Sequence, residues 1–301
     1  MSRIEQPWLI LDLQHSEDDA PWVEQVLVQR GLEGWEVHQE YPEVKWRLYF
    51  PLEGEHEARL AELKQALDSA GSQVSESGHI RDEDWAENWK EFYHPFPVGN
   101  RFVVCPSWEQ PDAEMSEGRE IISLDPGSAF GTGYHESTRL CLQLMEKLET
   151  DPLWGKGPVL DYGTGSGILA IGALHLGCPK VVASDRDPLA VAVARDNLQE
   201  SGFAPERFEV RRDDVPQPAA DNEEGLYPFV IANLTADILA QLSLPLSSVC
   251  GRHLVLGGIV EKRAQKVEDA FTSAGGKKIE RIQENDWVAY HFLFEKNLNL
   301  A

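Results

Sequence analysis

The sequence predicts an α/β chain in two parts: a small α+β unit, then a larger unit built on a mainly parallel sheet. Three observations predict it. Strand and helix signals run in the order β-α-β-β-α-β over the first eighty residues. After residue 98, short apolar runs alternate with helical segments. One of those runs, VLDYGTGSG at 159–167, leads straight into a glycine turn. Short apolar runs of this kind are buried on both faces of a parallel sheet.

In the first part, WLILDLQ (8–14) is a strand and EDDAPWVEQVLVQRG (17–31) a helix that stops at Gly31. GWEVHQEY (34–41) and VKWRLYFP (44–51) are strands, and EHEARLAELKQALDSAG (55–71) is a helix with Leu60, Leu63 and Leu67 at helical spacing. A last strand lies in SQVSESGHI. That order is the ferredoxin-like one. RDEDWAENWKEFYHPFP (81–97) reads as a linking helix whose Trp85, Trp89 and Phe92 share one face, broken by Pro95 and Pro97. Beyond it GPVLDYG, KVVASD, RFEVRRDD, FVIANL and RHLVLGG are strands. The helices between and after them are SGILAIGALHLG, PLAVAVARDNLQESG, ADILAQLSLPLSSV and EKRAQKVEDAFTSAGG. The tail, KKIERIQEND then WVAYHFLFEK, adds two strands at one sheet edge, which brings the sheet to seven.

The 301 residues carry a formal net charge of −24. That speaks against non-specific nucleic-acid binding, which works by neutralising phosphates, and suits either a basic protein partner or a salty cytoplasm. The start, MSRIEQPWLILDLQHSEDD, lacks the basic region and apolar run of a secretory signal. No uncharged apolar stretch of about eighteen residues occurs, so the expectation is a cytoplasmic chain without a spanning helix. Cys105, Cys141, Cys178 and Cys250 are too scattered for a zinc or disulfide framework, and no metal-ligand set is expected.

The glycine turn carries the chemistry. A dinucleotide fingerprint would need glycine at 168, where this chain has Ile168. Instead Asp161 stands two residues before Gly163, with Gly165 and Gly167 following. A helix N-terminus that meets pyrophosphate favours small neutral neighbours. A carboxylate there suits a ligand with a positive amino group, and S-adenosylmethionine has one. Asp185 ends the next strand 22 residues past Gly163, the position of a ribose-binding carboxylate. Asp187-Pro188 reads as a helix cap. Asp213 or Asp214 could reach an adenine edge, with a solvated turn as the competing reading. Asn233 ends the fourth strand and faces either the ligand crevice or a helix cap. Together these positions point to a methyltransferase fold.

Three stretches then settle on one family. DPGSAFGTGYHESTRL (125–140), VLDYGTGSGILAIGAL (159–174) and IANLTADIL (231–239) closely resemble the PrmA family, which methylates protein eleven of the large ribosomal subunit. The resemblance runs on through EDWAENWKEFYHPFPVGNRFVVCPSW (83–108), LVLGGIVEKRAQKVEDAF (254–271) and WVAY (287–290). The first eighty residues match in layout more than in letters. The resemblance implies a ferredoxin-like substrate-recognition domain over 1–80, a flexible helical linker over 81–97, and a class I S-adenosylmethionine-dependent, Rossmann-like methyltransferase domain over 98–301.

Carried over by position, the family's cofactor contacts fall on Thr138, Gly163, Asp185 and Asn233. The loop Ala129–Gly133, with Gly131 and Thr132, would lie over the methionyl end, and Phe130 would wall off water beside the methyl. His135 would cage the site in preference to acting as general base, and Asn233 would help orient the amine. The chain departs from the family at Glu136 and Ser137, often Pro or Thr there, and at Thr164, often Cys.

The activity implied is transfer of methyl groups from S-adenosylmethionine to lysine ε-amino and α-amino groups of protein eleven. That partner would be free rather than assembled, and the enzyme a monomer with no membrane or direct nucleic-acid contact. Rival readings are a lysine methyltransferase for another protein, a non-catalytic cofactor-binding assembly factor, a dinucleotide oxidoreductase and an RNA methyltransferase. Asp161 and Ile168 speak against the oxidoreductase. The lack of a basic stripe, and Asn-Leu-Thr-Ala at 233–236, speak against RNA.

Overall fold

The computed structural model describes residues 8–16, 35–40, 43–52, 56–80, 94–124, 135–220 and 224–296, with positions 19, 22–23, 26–27, 30, 32 and 222 between them. Contacts divide the chain into two compact units, Met1–Tyr93 and His94–Ala301.

The first unit holds β1 (Trp8–Ser16), β2 (Trp35–Glu40), β3 (Glu43–Pro51), α1 (His56–Ser69) and β4 (Gln73–Ile80). Its sheet has the order β2-β3-β1-β4, every neighbouring pair antiparallel. Period-2 patterning explains the sheet's buried face: Leu9, Leu11 and Leu13 point inward from β1 while the residues between them stay half-exposed. Leu63 and Leu67, one turn apart on α1, pack into the same core. Between β1 and β2 the described residues Trp22, Val23, Val26 and Leu27 are helical, with Val23 and Leu27 buried. Asp19 and Arg30 are turn residues, and the rest of the expected 17–31 helix lies outside the described residues.

The second unit opens with a small sheet of β5 (Phe96–Val98), β6 (Phe102–Cys105) and β7 (Glu120–Ser123), with a single turn of helix, α2 (Ala113–Ser116), before β7. Phe96 and Pro97, the end of the expected linking helix, are thus strand; residues 81–93 lie outside the described set. The large sheet has the order β10-β9-β8-β11-β12-β14-β13. Its strands are β8 (Val159–Tyr162), β9 (Val181–Asp185), β10 (Phe208–Arg212), β11 (Tyr227–Asn233), β12 (Cys250–Val260), β13 (Lys277–Glu284) and β14 (Trp287–Leu293). The first five of these pair in parallel and the last two run antiparallel at one edge. It is a large mixed sheet of the α/β methyltransferase kind.

Alternate side chains of the central strands enter two cores. Val159, Val181, Ala183, Phe229 and Ile231 join one. Leu160, Tyr162, Val182, Val230 and Ala232 join the other. Each fully buried Leu, Ile or Phe is worth about 1.5–3 kcal/mol. The helices covering the sheet are α3 (Glu136–Leu148), α4 (Ile168–His175), α5 (Pro188–Glu200), α6 (Ala236–Gln241), α7 (Ser243–Val249) and α8 (Ala264–Ser273). Two differ from expectation. The segment 236–249 is two helices, because Pro245 has no N–H to give Gln241 and the chain turns at Leu242. α3 has no counterpart among the expected elements, although Leu140, Cys141, Leu144, Met145 and Leu148 recur at helical spacing and are buried. The four cysteines are buried thiols that form no disulfide. Among the described residues, no helix is long and apolar enough to cross a membrane, and no cluster of three metal-ligating side chains occurs.

Candidate active site

Three glycines with positive φ shape the turn after β8: Gly163 at 76°, Gly165 at 55° and Gly167 at 85°. Only a residue without Cβ takes such angles freely. Gly163 has a second reason, since a Cβ there would stand 2.5 Å from Leu234 Cδ2. The glycine lets the turn pass against the segment leaving β11. Gly167 is the residue before α4 and packs close to Ala194 of α5.

Asp185, at the end of β9, joins two turns. Its Oδ2 accepts from the Gly165 N–H at 3.1 Å and its Oδ1 from the Asp187 N–H at 3.0 Å. Each oxygen keeps a further lone pair for a hydroxyl. Asp187 caps α5 through the Leu189 N–H at 2.9 Å, with Pro188 at the first helical position, as expected of that pair.

Asp161 lies beneath the turn with no solvent exposure. Its Oδ2 accepts from the Thr164 hydroxyl at 2.6 Å and from the Ala170 N–H in the first turn of α4 at 3.1 Å. Burial pushes its carboxyl up to about 7 against those two hydrogen bonds, and the Asp185 charge pushes the same way. Oδ1 is buried without a hydrogen-bond partner. An orphaned carboxylate oxygen at a strand end is an acceptor awaiting a donor, and a ligand's ammonium is one.

Asn233 ends β11. Its Nδ2 donates to Thr138 Oγ1 at 3.2 Å, and its Oδ1 is buried without a partner. Gly257 and Gly258 of β12 give this end room. A Cβ on Gly257 would reach within 3.1 Å of Asn233 Oδ1, and one on Gly258, at φ 77°, would run into the Leu234 carbonyl.

His135 is the cap residue of α3. Its Nδ1 accepts from the Ser137 N–H at 3.2 Å and lies 2.8 Å from the Ser137 hydroxyl. That assigns the remaining ring proton to Nε2. Burial draws its pKa down, Glu136 opposes this, and Arg139 adds to it. The ring packs edge-on against Trp287, centroids 4.3 Å apart.

These pieces surround a cavity of about 390 Å³. The expected site residues His135, Gly163, Gly165, Asp185 and Asn233 all line it. Thr138 is behind the wall, wholly buried, and acts on the cavity through Asn233. Asp161 and Gly167 support the turn from below and behind. Asp214 does not line the cavity. Its side chain is exposed, and its backbone carbonyl accepts from the Tyr162 hydroxyl at 3.0 Å. Asp213, the other candidate, is taken by the Ser184 hydroxyl at 2.8 Å and Arg211 Nε at 2.5 Å. Phe130, Gly131 and Thr132 lie outside the described residues.

The wall also includes Leu189, Ile238, Gly258 and Trp287, which the sequence reading gave no site role. Leu189 and Ile238 sit in the first turns of helices that follow strand ends, a positional signal that was available. Trp287 offered none, since only the β13–β14 pairing brings it beside His135.

Comparison with known proteins follows the same lines. Residues 12–295 match the family model described as ribosomal protein L11 methyltransferase (PrmA). A ribosomal protein L11 methyltransferase of Pelotomaculum thermopropionicum is 40% identical over 247 residues, covering 80% of this chain and 76% of that one. One of Geobacter metallireducens is 38% identical over 250 residues, covering 80% and 79%. One of Chloroflexus aurantiacus, 32% identical, covers 94% and 96%. The solved ribosomal protein L11 methylase of Lactobacillus delbrueckii subsp. bulgaricus superposes with a TM-score of 0.57 at 28% identity, over 68% of this chain and all of that one. With a family model spanning nearly its whole length and relatives of this identity over most of it, the chain belongs to the ribosomal protein L11 methyltransferase (PrmA) family.

Proposed function

We propose that this protein methylates ribosomal protein L11 on lysine ε-amino and α-amino groups. It is a methyltransferase, and S-adenosylmethionine is its methyl donor. One observation carries the reading: Asp185 and Asn233, at the ends of β9 and β11, line one cavity beside a glycine turn, and the buried Asp161 of β8 lies under that turn with one carboxylate oxygen unpartnered. The same cavity carries apolar walls.

The donor set suits this ligand. Asp161 Oδ1 takes the positive amino group, and the spare lone pairs of Asp185 take the ribose hydroxyls. Gly163, Gly165 and Gly167 give the close backbone approach. The flat base falls to Leu189, Ala190 and Ile238, ahead of the exposed Asp214. The family resemblance assigns Gly131 and Thr132 a role toward the methionyl end and Phe130 the exclusion of water from the methyl. When bound, S-adenosylmethionine supplies a methyl group on a sulfonium.

What remains for the chain's own residues is to receive an amine, strip its water and orient it. A lysine with its ordinary pKa of ~10.4 is neutral in roughly one molecule in 10³ at pH 7, a cost of about 4.6 kcal/mol. An α-amino group at ~7.7–8.0 costs only about 1 kcal/mol. Apolar Leu234 and Ile238 disfavour the ammonium and return part of this, with the proton leaving to water. His135 is no general base here: Nδ1 is committed to the Ser137 N–H, and Nε2 carries a proton. Asn233, its amide fixed by Thr138, orients the amine hydrogens.

The first unit is a ferredoxin-like recognition domain. Support comes from its all-antiparallel order β2-β3-β1-β4 and from the helical residues between β1 and β2. It presents free L11 to a monomeric cytoplasmic enzyme.

The test is transfer of labelled methyl from S-adenosylmethionine to separated, unmethylated large-subunit proteins, with free lysine as control. Label on L11 alone is expected. Label on another protein, or cofactor binding without label anywhere, overturns the substrate assignment.

A further inference from the structure

Two rings of the cavity wall come from segments about 150 residues apart and are buckled together. His135 opens α3; Trp287 opens β14, directly after the two-residue turn Asn285-Asp286. Across that turn Glu284 pairs with Trp287. Two side-chain links tie the turn to α3. Asn285 Nδ2 donates to Glu136 Oε1 at 3.0 Å. Arg139 donates to the Glu284 carboxylate through Nε at 3.1 Å and Nη2 at 2.5 Å.

The buckle is a built feature. Among the described residues, Asn285 is the non-glycine with positive φ, at 51°. Glycine would meet that backbone need more easily but could not reach Glu136. Partial burial works against the Glu136 anion, yet its own backbone N–H, the Asn285 amide and Arg139 outweigh it and hold its carboxyl below the usual range. The two links fix one turn of α3 against the hairpin tip, and so fix Trp287 against His135 at 4.3 Å.

Such a wall has a chemical use that the cofactor contacts leave unassigned. A substrate amine arrives as an ammonium, and any alkylated amine is both cationic and greasy. An aromatic ring meets both properties, since its face attracts a cation and tolerates methyl groups where a carboxylate would hold the ion too tightly for turnover. We propose that Trp287, held in place by the Asn285–Glu136 and Arg139–Glu284 buckle, is a specificity residue of the amine pocket that receives ammonium and methylated ammonium groups. This rests on the amine-methyltransferase reading above. Asn285 is then a positioning residue, acting through Trp287.

The experiment uses the full-length enzyme and three variants: Trp287→Leu, Trp287→Phe and Asn285→Gly. Trimethyllysine serves as probe, because its permanent charge without an N–H isolates the ring contact from hydrogen bonding. Calorimetry with saturating S-adenosylhomocysteine should show wild-type binding weakened about tenfold in Trp287→Leu and largely restored in Trp287→Phe. With L11, Trp287→Leu should raise KM about tenfold and shift products toward lower methylation states by intact mass. Asn285→Gly, which keeps the turn, should raise KM by a smaller factor. S-adenosylmethionine Kd should stay within about twofold throughout, which also reports an intact fold. No trimethyllysine binding to wild type, or equal binding and equal L11 kinetics in Trp287→Leu, overturns the proposal. So does a loss that tracks cofactor Kd, which would make Trp287 part of the donor site. If wild type leaves L11 unlabelled while trimethyllysine binding still depends on Trp287, the substrate reading falls and the wall stands.

Discussion

Lowering the pH from 7 to 5 should cost the second unit about 2 kcal/mol through one histidine. His291 on β14 and His253 on β12 are 6% and 5% exposed. His253 Nδ1 lies 3.0 Å from His291 Nε2, and its Nε2 lies 3.2 Å from Asp151 Oδ2. Phe229 stacks on the His253 ring at 4.7 Å. One imidazole must donate to the other, so protonating both leaves two N–H groups facing each other in a closed space. Burial first, and then the neighbouring His253, pull the His291 pKa down to about 4, while Glu280 and Asp151 oppose the shift. The folded pKa is thus below the ordinary ~6.5 of an unfolded chain. Between those values the unfolded state binds the extra proton, so stability is whole above ~6.5 and is lost as pH falls toward 4. The full window is worth about 3 kcal/mol, of which about 2 fall between pH 7 and 5. Urea unfolding at each pH, read by hydrogen-exchange mass spectrometry on peptides from β12 and β14, isolates this unit. His291→Gln keeps a hydrogen-bonding partner for His253 but cannot titrate, and should lose about 2 kcal/mol less than wild type over that range. Parallel losses in the two proteins would refute the reasoning.

Two further outcomes bear on the cavity. Gly163→Ala should weaken S-adenosylmethionine binding at least about tenfold and destabilise the unit by about 1–2 kcal/mol, since φ of 76° is forced on a residue with Cβ and that Cβ meets Leu234 at 2.5 Å. Calorimetry and thermal unfolding measure both, and unchanged affinity would remove the turn from the site. On the proposed reading Asp161, its carboxyl pushed up to about 7 by burial, takes the cofactor's positive amino group only as the anion. Cofactor affinity should therefore fall as pH drops through 7, and Asp161→Asn should bind weakly with no such step. A pH-independent wild-type affinity would count against that contact.

Local chemistry explains what was readable from residues alone. Gly163, Gly165 and Gly167 advertise left-handed backbone, and Asp187-Pro188 advertises a helix start, because each signal acts within a few residues. Asp185 was legible for a related reason: its place at a strand end follows from the apolar run before it. Asp213 and Asp214 were not separable, being equally acidic and adjacent. The choice fell to Ser184 and Arg211, which hold Asp213 from neighbouring strands and leave Asp214 to solvent.

By itself, then, the sequence determined the two-part α/β layout, the glycine turn, the family and three of the cavity's polar side chains, His135, Asp185 and Asn233, since periodicity and turn chemistry are written along the chain. Tertiary structure alone decided that Thr138 works through Asn233, that Asp161 keeps an oxygen unpartnered, and that Trp287 stands against His135. Those facts depend on strand order and on hydrogen bonds between residues 95 to 149 positions apart, such as Thr138 with Asn233 and Glu136 with Asn285. Contacts of that range arise only when the sheet closes, and no local pattern encodes them.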